Sequence, residues 1–258
     1  MPRIWHAKKP MNNKVSIVVP VYNAGDSIAD TIMSVLKQSY QDYELLLVDD
    51  ASTDSSRAVL EGYASDNIRI LDNTCRKGAA GARNTGIMEA TGRFIAFIDA
   101  DDLWDAGKLS KQVAFMSDND AAFSFTGYEF ADEKGRGLGK IVRVPHTISY
   151  RQALRNTTIF TSTVMFDMEK LAREDILMPY VPSEDTATWW KVLKKTGVAY
   201  GLDESLTLYR RMGHSLSSNK LEAVSRIWNL YRKTEHLSVA YSLYCFCNWA
   251  VRAVARRV

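Results

Sequence analysis

Apolar and polar positions divide the chain into short buried runs separated by amphipathic stretches. Val15-Ser-Ile-Val-Val-Pro-Val21, Tyr43–Val48, Ile68–Leu71 and Phe94–Ile98 are compact apolar runs bounded by polar residues. That is the pattern of strands covered on both faces. Between them, Ile28, Ile32, Val35 and Leu36 recur at helical spacing, with Asp26 or Ser27 in place to cap the helix. Ser52–Asp54 opens a second helix reaching about Ala64, and Gly78–Ala90 has helical spacing. Alternation of this kind predicts an α/β fold with a mostly parallel sheet covered by helices.

After a helix over Lys108–Met116, for which Asp102 or Asp105 can be the cap, the pattern changes. Ala121–Phe130 and Gly137–Val144 predict strands joined by a turn over Glu133–Gly139. A short helix over Ser149–Arg155, a strand over Thr163–Asp167, a helix over Glu184–Lys195 and a strand over Gly201–Arg210 follow. The organisation expected is a leader over 1–13, one domain over 14–217 with halves at 14–117 and 118–217, and a helical extension over 218–258.

Composition changes this picture in three places. A chain of 258 residues is long enough for a substantial core, and its net charge of +3 leaves no overall nucleic-acid footprint. The charge is uneven: Lys220–Val258 holds seven Lys/Arg against two Glu, so a mildly acidic body carries a basic tail. Cys75, Cys245 and Cys247 make neither a disulfide framework nor a zinc spacing, which points to a reducing compartment. The N-terminus has no secretory h-region, and no apolar run reaches membrane-spanning length. Leu237–Val258 mixes aliphatic and aromatic residues with Arg252, Arg256 and Arg257. It reads either as an interfacial membrane helix or as a terminal helix packed on the domain.

Candidate chemistry gathers at the strand exits. The run Phe94–Ile98 ends in Asp99-Ala100-Asp101-Asp102. Three carboxylates at a sheet edge repel one another unless a cation joins them, and a hard divalent metal shared with a phosphate suits that need. A helix cap explains only one of the three. Pro20-Val21-Tyr22-Asn23 closes the first run, where Tyr22 can offer a flat face to a base or simply leave a strand. Asp49-Asp50 ends the second; Asp54 is explained by capping, the pair is not. Lys77-Gly-Ala-Ala-Gly-Ala-Arg83-Asn84-Thr85-Gly86 is either a close backbone approach to an anion, with Arg83 as its bidentate partner, or tight helix–sheet packing. Glu184-Asp185 suits a general base or ordinary acid placement at a helix start. Tyr209-Arg210-Arg211-Met-Gly-His214-Ser215 offers Arg and His for a diphosphate or a metal.

Taken in order over residues 15 to about 217, these segments resemble family 2 of the nucleotide-sugar glycosyltransferases, and the C-terminal part is similar to bacterial teichuronic acid and O-antigen transferases. The resemblance implies a Rossmann-like GT-A fold with a mixed acceptor-side half, and inverting transfer from a UDP-sugar to a lipid-linked glycan. It places Pro20, Tyr22, Asn23, Asp49 and Asp50 at the nucleotide, with Tyr22 and Asp50 at uracil. Arg83 lies near base and diphosphate, Asp99 at the ribose with Ala100 beside it, and Asp101 at a Mn2+ or Mg2+ ion that His214 also reaches. Asp102 and Glu184 support, Asp185 deprotonates the acceptor hydroxyl, and Arg210 with His214 steadies the leaving diphosphate. Two departures stand out: Ala51 replaces the family's common Gly, and Arg211 and Gly213 are extra residues around His214. The implied setting is cytoplasmic, with a peripheral membrane contact through 237–258. Two other readings stay open: a sugar-1-phosphate nucleotidyltransferase, whose Gly-rich loop is missing after Val21, and a non-catalytic nucleotide-sugar binder, which the intact Asp185 argues against.

Overall fold

A computed structural model describes residues 13–156, 158–211 and 220–255. The first half alternates β1 (Val15–Val21), α1 (Ile28–Leu36), β2 (Tyr43–Asp49), α2 (Ser56–Glu61), β3 (Ile68–Asp72), α3 (Ala79–Glu89) and β4 (Phe94–Phe97). Next come β5 (Leu103–Trp104), α4 (Lys108–Asp118), β6 (Phe123–Ala131), β7 (Gly137–Val142), β8 (Thr147–Ser149) and α5 (Tyr150–Ala153). A 3-10 turn (Thr161–Thr163) leads into β9 (Met165–Asp167), α6 (Arg173–Ile176), α7 (Glu184–Thr196) and β10 (Val198–Arg210). The extension is α8 (Lys220–Asn229), a π-helical turn (Leu230–Thr234) and α9 (Val239–Ala255).

The sheet runs β3-β2-β1-β4-β9-β6-β10-β5, with β7 added to β6 and β8 to β10. The pairs β1–β2, β1–β4 and β2–β3 are parallel. Strand β9 is antiparallel to both β4 and β6, and β6 is parallel to β10. Two reversals cancel, so β1, β2, β4, β6 and β10 all finish on one edge. Ligands bind outside that carboxyl edge in open α/β sheets.

Alternation along β1 builds a core on each face. Val15, Ile17, Val19 and Val21 join Ile28, Ile32, Leu109 and Val113 on one side, while Val18 joins Ile87, Trp189 and Trp190 on the other. Gly86 is required there, because a Cβ would lie 2.4 Å from Val18 Cγ1. Gly81 is equally constrained, since its Cβ would lie 1.7 Å from the Arg76 carbonyl oxygen. The small residues of the Lys77–Gly86 segment therefore serve helix packing.

Several sequence expectations shift. Helix α2 stops at Glu61, and Ser55 rather than Asp54 precedes it. Ser27 occupies the N-cap of α1 without capping it; its hydroxyl donates to the Ala100 carbonyl instead. Asp105 accepts a bond from Gly107 N–H, and Asp102 caps nothing. Strands β5 and β8, two and three residues long, are too short for a periodic signal. Strand β10 begins at Val198 and carries irregular register against β6 between Leu202 and Leu208.

The tail packs on the domain through one face of α9, as the second of its two readings expects. Cys245 is buried, and Tyr241, Phe246 and Trp249 pack against the core. Tyr231 stacks on Trp190 at 5.5 Å and donates its hydroxyl to Leu154 O, while Glu235 accepts bonds from Tyr150 and Lys194. The opposite face of α9 exposes Val239, Leu243, Tyr244 and Val251 at 49–70%. No helix among the described residues is long and apolar enough to cross a membrane.

Candidate active site

The acid loop after β4 is organised by one hydroxyl. Ser162 Oγ accepts the Asp99 N–H at 3.0 Å and donates to Asp102 Oδ2 at 2.5 Å. Asp102, wholly buried, also accepts Arg210 N–H at 3.2 Å. Ala100 contributes its carbonyl, which takes bonds from Ser27 Oγ and Thr31 Oγ1, both 3.0 Å. The loop is thus fastened to α1 and to the 3-10 turn.

Arg210 corrects an expectation. Its guanidinium does not face a diphosphate: it donates to Asp30 Oδ2 (2.9 Å), to Ser27 O (3.0 Å) and to the Asp101 carbonyl. It is 2% exposed, and burial at the end of β10 directs all these bonds into α1 and the acid loop. Arg210 thereby ties the Asp101 backbone to α1. His214 lies outside the described residues.

Asp49 and Asp50 sit at the end of β2, beside the exit of β1. Asp50 Oδ1 accepts Asn73 Nδ2–H at 2.5 Å and its Oδ2 accepts Gly78 N–H at 2.8 Å. Asp49 Oδ1 accepts Ser52 N–H at 3.2 Å. Both carboxylates line a cavity of about 270 Å³ with Ala51, Asp72, Asn73, Cys75 and Lys77. Tyr22, half-exposed, has Lys77 Nζ 4.7 Å from its ring centre. Pro20 pairs with Val48 inside the sheet, and Asn23 Oδ1 accepts Thr53 N–H at 2.8 Å, tying the two strand exits together. Ala51 has φ +59°, the left-handed region that favours glycine.

Arg83 joins the two halves. It is buried in α3 and donates to Asp99 Oδ1 at 2.6 Å and to Glu184 Oε1 at 2.9 Å. Beside it, Asn84 makes two hydrogen bonds to one residue: its Nδ2 donates to Met178 O (2.9 Å) and its Oδ1 accepts Met178 N–H (2.7 Å). The segment leading into α7 is clamped by these two neighbours. At the N-terminus of α7, Asp185 Oδ2 accepts Thr161 Oγ1–H at 3.1 Å and Oδ1 accepts Thr186 N–H at 2.6 Å. Ser183, just before this turn, holds φ +59° and ψ +50°. Asn84, Thr161, Ser162 and Asn73 escaped the sequence reading. Only Asn84 had a signal, its place in Gly-Ala-Arg-Asn; the others are uncharged polar residues without periodic or motif context.

Comparison with known proteins decides the family. The chain matches the profile of Glycosyl transferase family 2 over residues 16–177. The chain belongs to this family. Family 2 relatives include TuaG of Bacillus subtilis, named for teichuronic acid biosynthesis, 42% identical over 95% of this chain and 97% of its own. Another is WfgD of Escherichia coli, a UDP-Glc:alpha-D-GlcNAc-diphosphoundecaprenol beta-1,3-glucosyltransferase, 39% identical over 84% of each chain. Staphylococcus aureus TarS, solved with UDP-GlcNAc, superposes with a TM-score of 0.70 at 21% identity, over 92% of this chain and 71% of that one. The mannosyltransferase PcManGT of Pyrobaculum calidifontis, solved with GDP-Man and Mn2+, gives 0.69 at 19% identity, over 93% and 74%. The fold is therefore GT-A and the protein is a glycosyltransferase. Membership sets aside the nucleotidyltransferase and non-catalytic readings.

The electrostatics of this family 2 site separate its carboxylates. Burial, then repulsion from Asp99, pushes Asp101 up to about 6. Burial, Asp101 and Asp99 together push Asp102 further above the carboxylate range. Burial opposes charge on Arg83, but Asp99 and Glu184 more than offset it and keep the guanidinium charged. Burial also raises Glu184, with Arg83 pulling the other way. Asp99 is committed to Arg83, and Asp102 to Ser162 and the Arg210 amide. Asp101 has no cationic side chain within ion-pair distance among the described residues. No three His, Cys, Asp or Glu converge as a metal cluster among those residues. A site of one or two carboxylates completed by substrate phosphates is the mode Mg2+ favours, and the donor set around Asp101 fits it.

Proposed function

We propose that this family 2 enzyme transfers a sugar, with inversion, from a UDP-sugar to a hydroxyl of a lipid-linked glycan in bacterial surface polysaccharide assembly. One observation carries the reading: Arg83 bridges Asp99 of the acid loop and Glu184 of α7, so a donor-binding edge and the candidate base Asp185 share one rigid frame. The relatives named for teichuronic acid biosynthesis and for transfer to a diphosphoundecaprenol acceptor support the polysaccharide setting.

In this reading uracil occupies the cavity at Asp49, Asp50, Asn73 and Lys77, against Tyr22. Asp99 meets the ribose, and Asp101 holds a Mn2+ or Mg2+ ion. Bound there, the cation supplies positive charge to the departing diphosphate. Asp185 accepts the acceptor's hydroxyl proton while that oxygen bonds to the anomeric carbon and the carbon–phosphate oxygen bond breaks. One displacement with one base gives inversion without a covalent enzyme intermediate. Thr161 and the Thr186 amide fix the Asp185 carboxylate for that transfer. The exposed face of α9 lies on the inner membrane surface, where a lipid-linked acceptor is found.

Two substitutions test the assignment. Asp185→Asn abolishes transfer, a loss of about 10³-fold or more, while UDP binding by calorimetry persists. Asp101→Ala removes the Mn2+-dependent part of UDP affinity. Near-normal turnover in the first variant, or unchanged Mn2+-supported affinity in the second, overturns the corresponding role.

A further inference from the structure

Four aromatic rings meet where β6 and β10 reach the carboxyl edge. Phe160 lies 4.7 Å from Tyr209 and 5.1 Å from Tyr128, while Phe130 lies 5.5 Å from Tyr209 and 5.7 Å from Tyr128. Phe130 and Tyr209 are register partners on adjacent parallel strands, and Tyr128 stands two residues before Phe130 on the same face. None of the four belongs to either core cluster of the domain. Tyr128 is buried beneath the group, whereas Phe130, Phe160 and Tyr209 each keep part of their surface in solvent. Phe130, Phe160 and Tyr209 therefore do not serve as core filling for the sheet.

Their position is tied to the chemistry by the chain itself. Phe160 is followed directly by Thr161, which donates to Asp185, and by Ser162, which fastens Asp99 and Asp102. The cluster thus begins one residue from the group that orients the candidate base. On its rim, the exposed Arg211 sets its guanidinium 5.3 Å from the Phe130 ring centre.

We propose that Phe130, Phe160 and Tyr209 form the acceptor platform, on which the C–H face of the acceptor pyranose rests while its hydroxyl points to Asp185. Arg211 pairs with the phosphate that links that sugar to its carrier. A pyranose presents one apolar face and a rim of hydroxyls, and partly exposed rings beside a polar base match both sides of it. A planar guanidinium stacked on an aromatic ring keeps its edge N–H groups for a phosphate. This inference rests on the reading of Asp185 as the base that meets the acceptor.

The test compares wild type with Phe130→Leu, Phe160→Leu and Arg211→Gln, which keep side-chain bulk. The probes are a synthetic lipid-linked α-GlcNAc diphosphate and a neutral α-GlcNAc alkyl glycoside. Each Leu variant raises KM for both acceptors about tenfold with UDP affinity unchanged. Arg211→Gln raises KM for the diphosphate acceptor alone. Saturation-transfer NMR with the neutral glycoside reports contact of its ring protons with wild type and loss of that contact in the Leu variants, independently of turnover. If wild type transfers sugar and the folded Leu variants keep acceptor KM within about twofold, the platform is wrong. If Asp185→Asn turns over at a near-normal rate while wild type shows the NMR contact and the Leu variants lose it, the platform stands and the base reading fails.

Discussion

At the scale of single residues, the site is set by groups that were silent in the sequence. The acids announced themselves as Asp49-Asp50 and Asp99-Ala-Asp-Asp, because charge at the end of an apolar run is unusual. Ser162, which holds two of them in register, looks like any serine. Arg210 stood out for its charge, yet its burial gives it the work of a strut. Ala51 was visible as a departure from glycine, and φ +59° now gives the reason glycine is common there. Lys108 went unnoticed entirely. Its amine is fully buried, lies 3.8 Å from the Trp104 ring centre and has no hydrogen-bond partner among the described residues. Desolvation lowers its pKa well below the usual lysine value, where it stands over the indole face. The unfolded chain then binds one more proton than the folded one between the two pKa values. Stability from this residue is lost as pH falls below the unfolded value. Lys108→Met removes that penalty. The wild type's deficit against the variant in urea denaturation shrinks by up to about 1.4 kcal/mol per pH unit as pH rises toward the ordinary lysine pKa. Parallel pH profiles for the two proteins would show the amine to be charged.

Elements were legible in proportion to their length and regularity. The four parallel strands and α1 follow their periodicities closely, since burial leaves few polar interruptions, Ser16 in β1 and Glu44 in β2 among them. Strands β5 and β8 were missed because two or three residues hold no period, and their pairing is dictated by β10 across distances that local pattern does not encode. The expected strand from Thr163 begins at Met165 because the 3-10 turn claims Thr161–Thr163. Helix α7 was expected, but the reason its first turn sits at the site was not. That reason is α3, whose Asn84 satisfies both backbone groups of Met178. Asn84→Ala leaves a buried N–H and C=O unpaired, at a cost of about 1–3 kcal/mol for each. The expected result is a lower Tm and a fall in kcat, with UDP affinity retained because Asn84 does not line the cavity at Asp49 and Asp50. A variant with wild-type kcat and Tm would mean α7 is held elsewhere.

For the whole molecule, the GT-A frame was readable because six short motifs kept their order, whereas the two-faced tail was not. Leu237–Val251 contains no charged residue, so composition alone could not say which apolar positions pack and which face out. On the outer face the Tyr244 hydroxyl accepts Arg155 Nη1–H at 2.9 Å. Removing the tail would also strip Tyr241, Cys245 and Phe246 from the core, so point changes are the cleaner probe. Val239→Glu with Leu243→Glu should weaken sedimentation with anionic vesicles about tenfold or more while Tm stays within a few degrees. Unchanged vesicle binding would remove α9 from the membrane contact.

Arg210 has one further consequence, for the order in which the protein becomes an enzyme. Asp101 is made early, within the parallel half, but its loop is gripped by a residue that leaves the ribosome more than a hundred positions later. Until β10 has been synthesised and has docked beside β6, the acid loop lacks its strut and Asp102 lacks the Arg210 amide. A nascent chain therefore carries its carboxylates without their final aim. The parallel half can collapse during translation, but the acid loop is complete only with the last strand of the sheet.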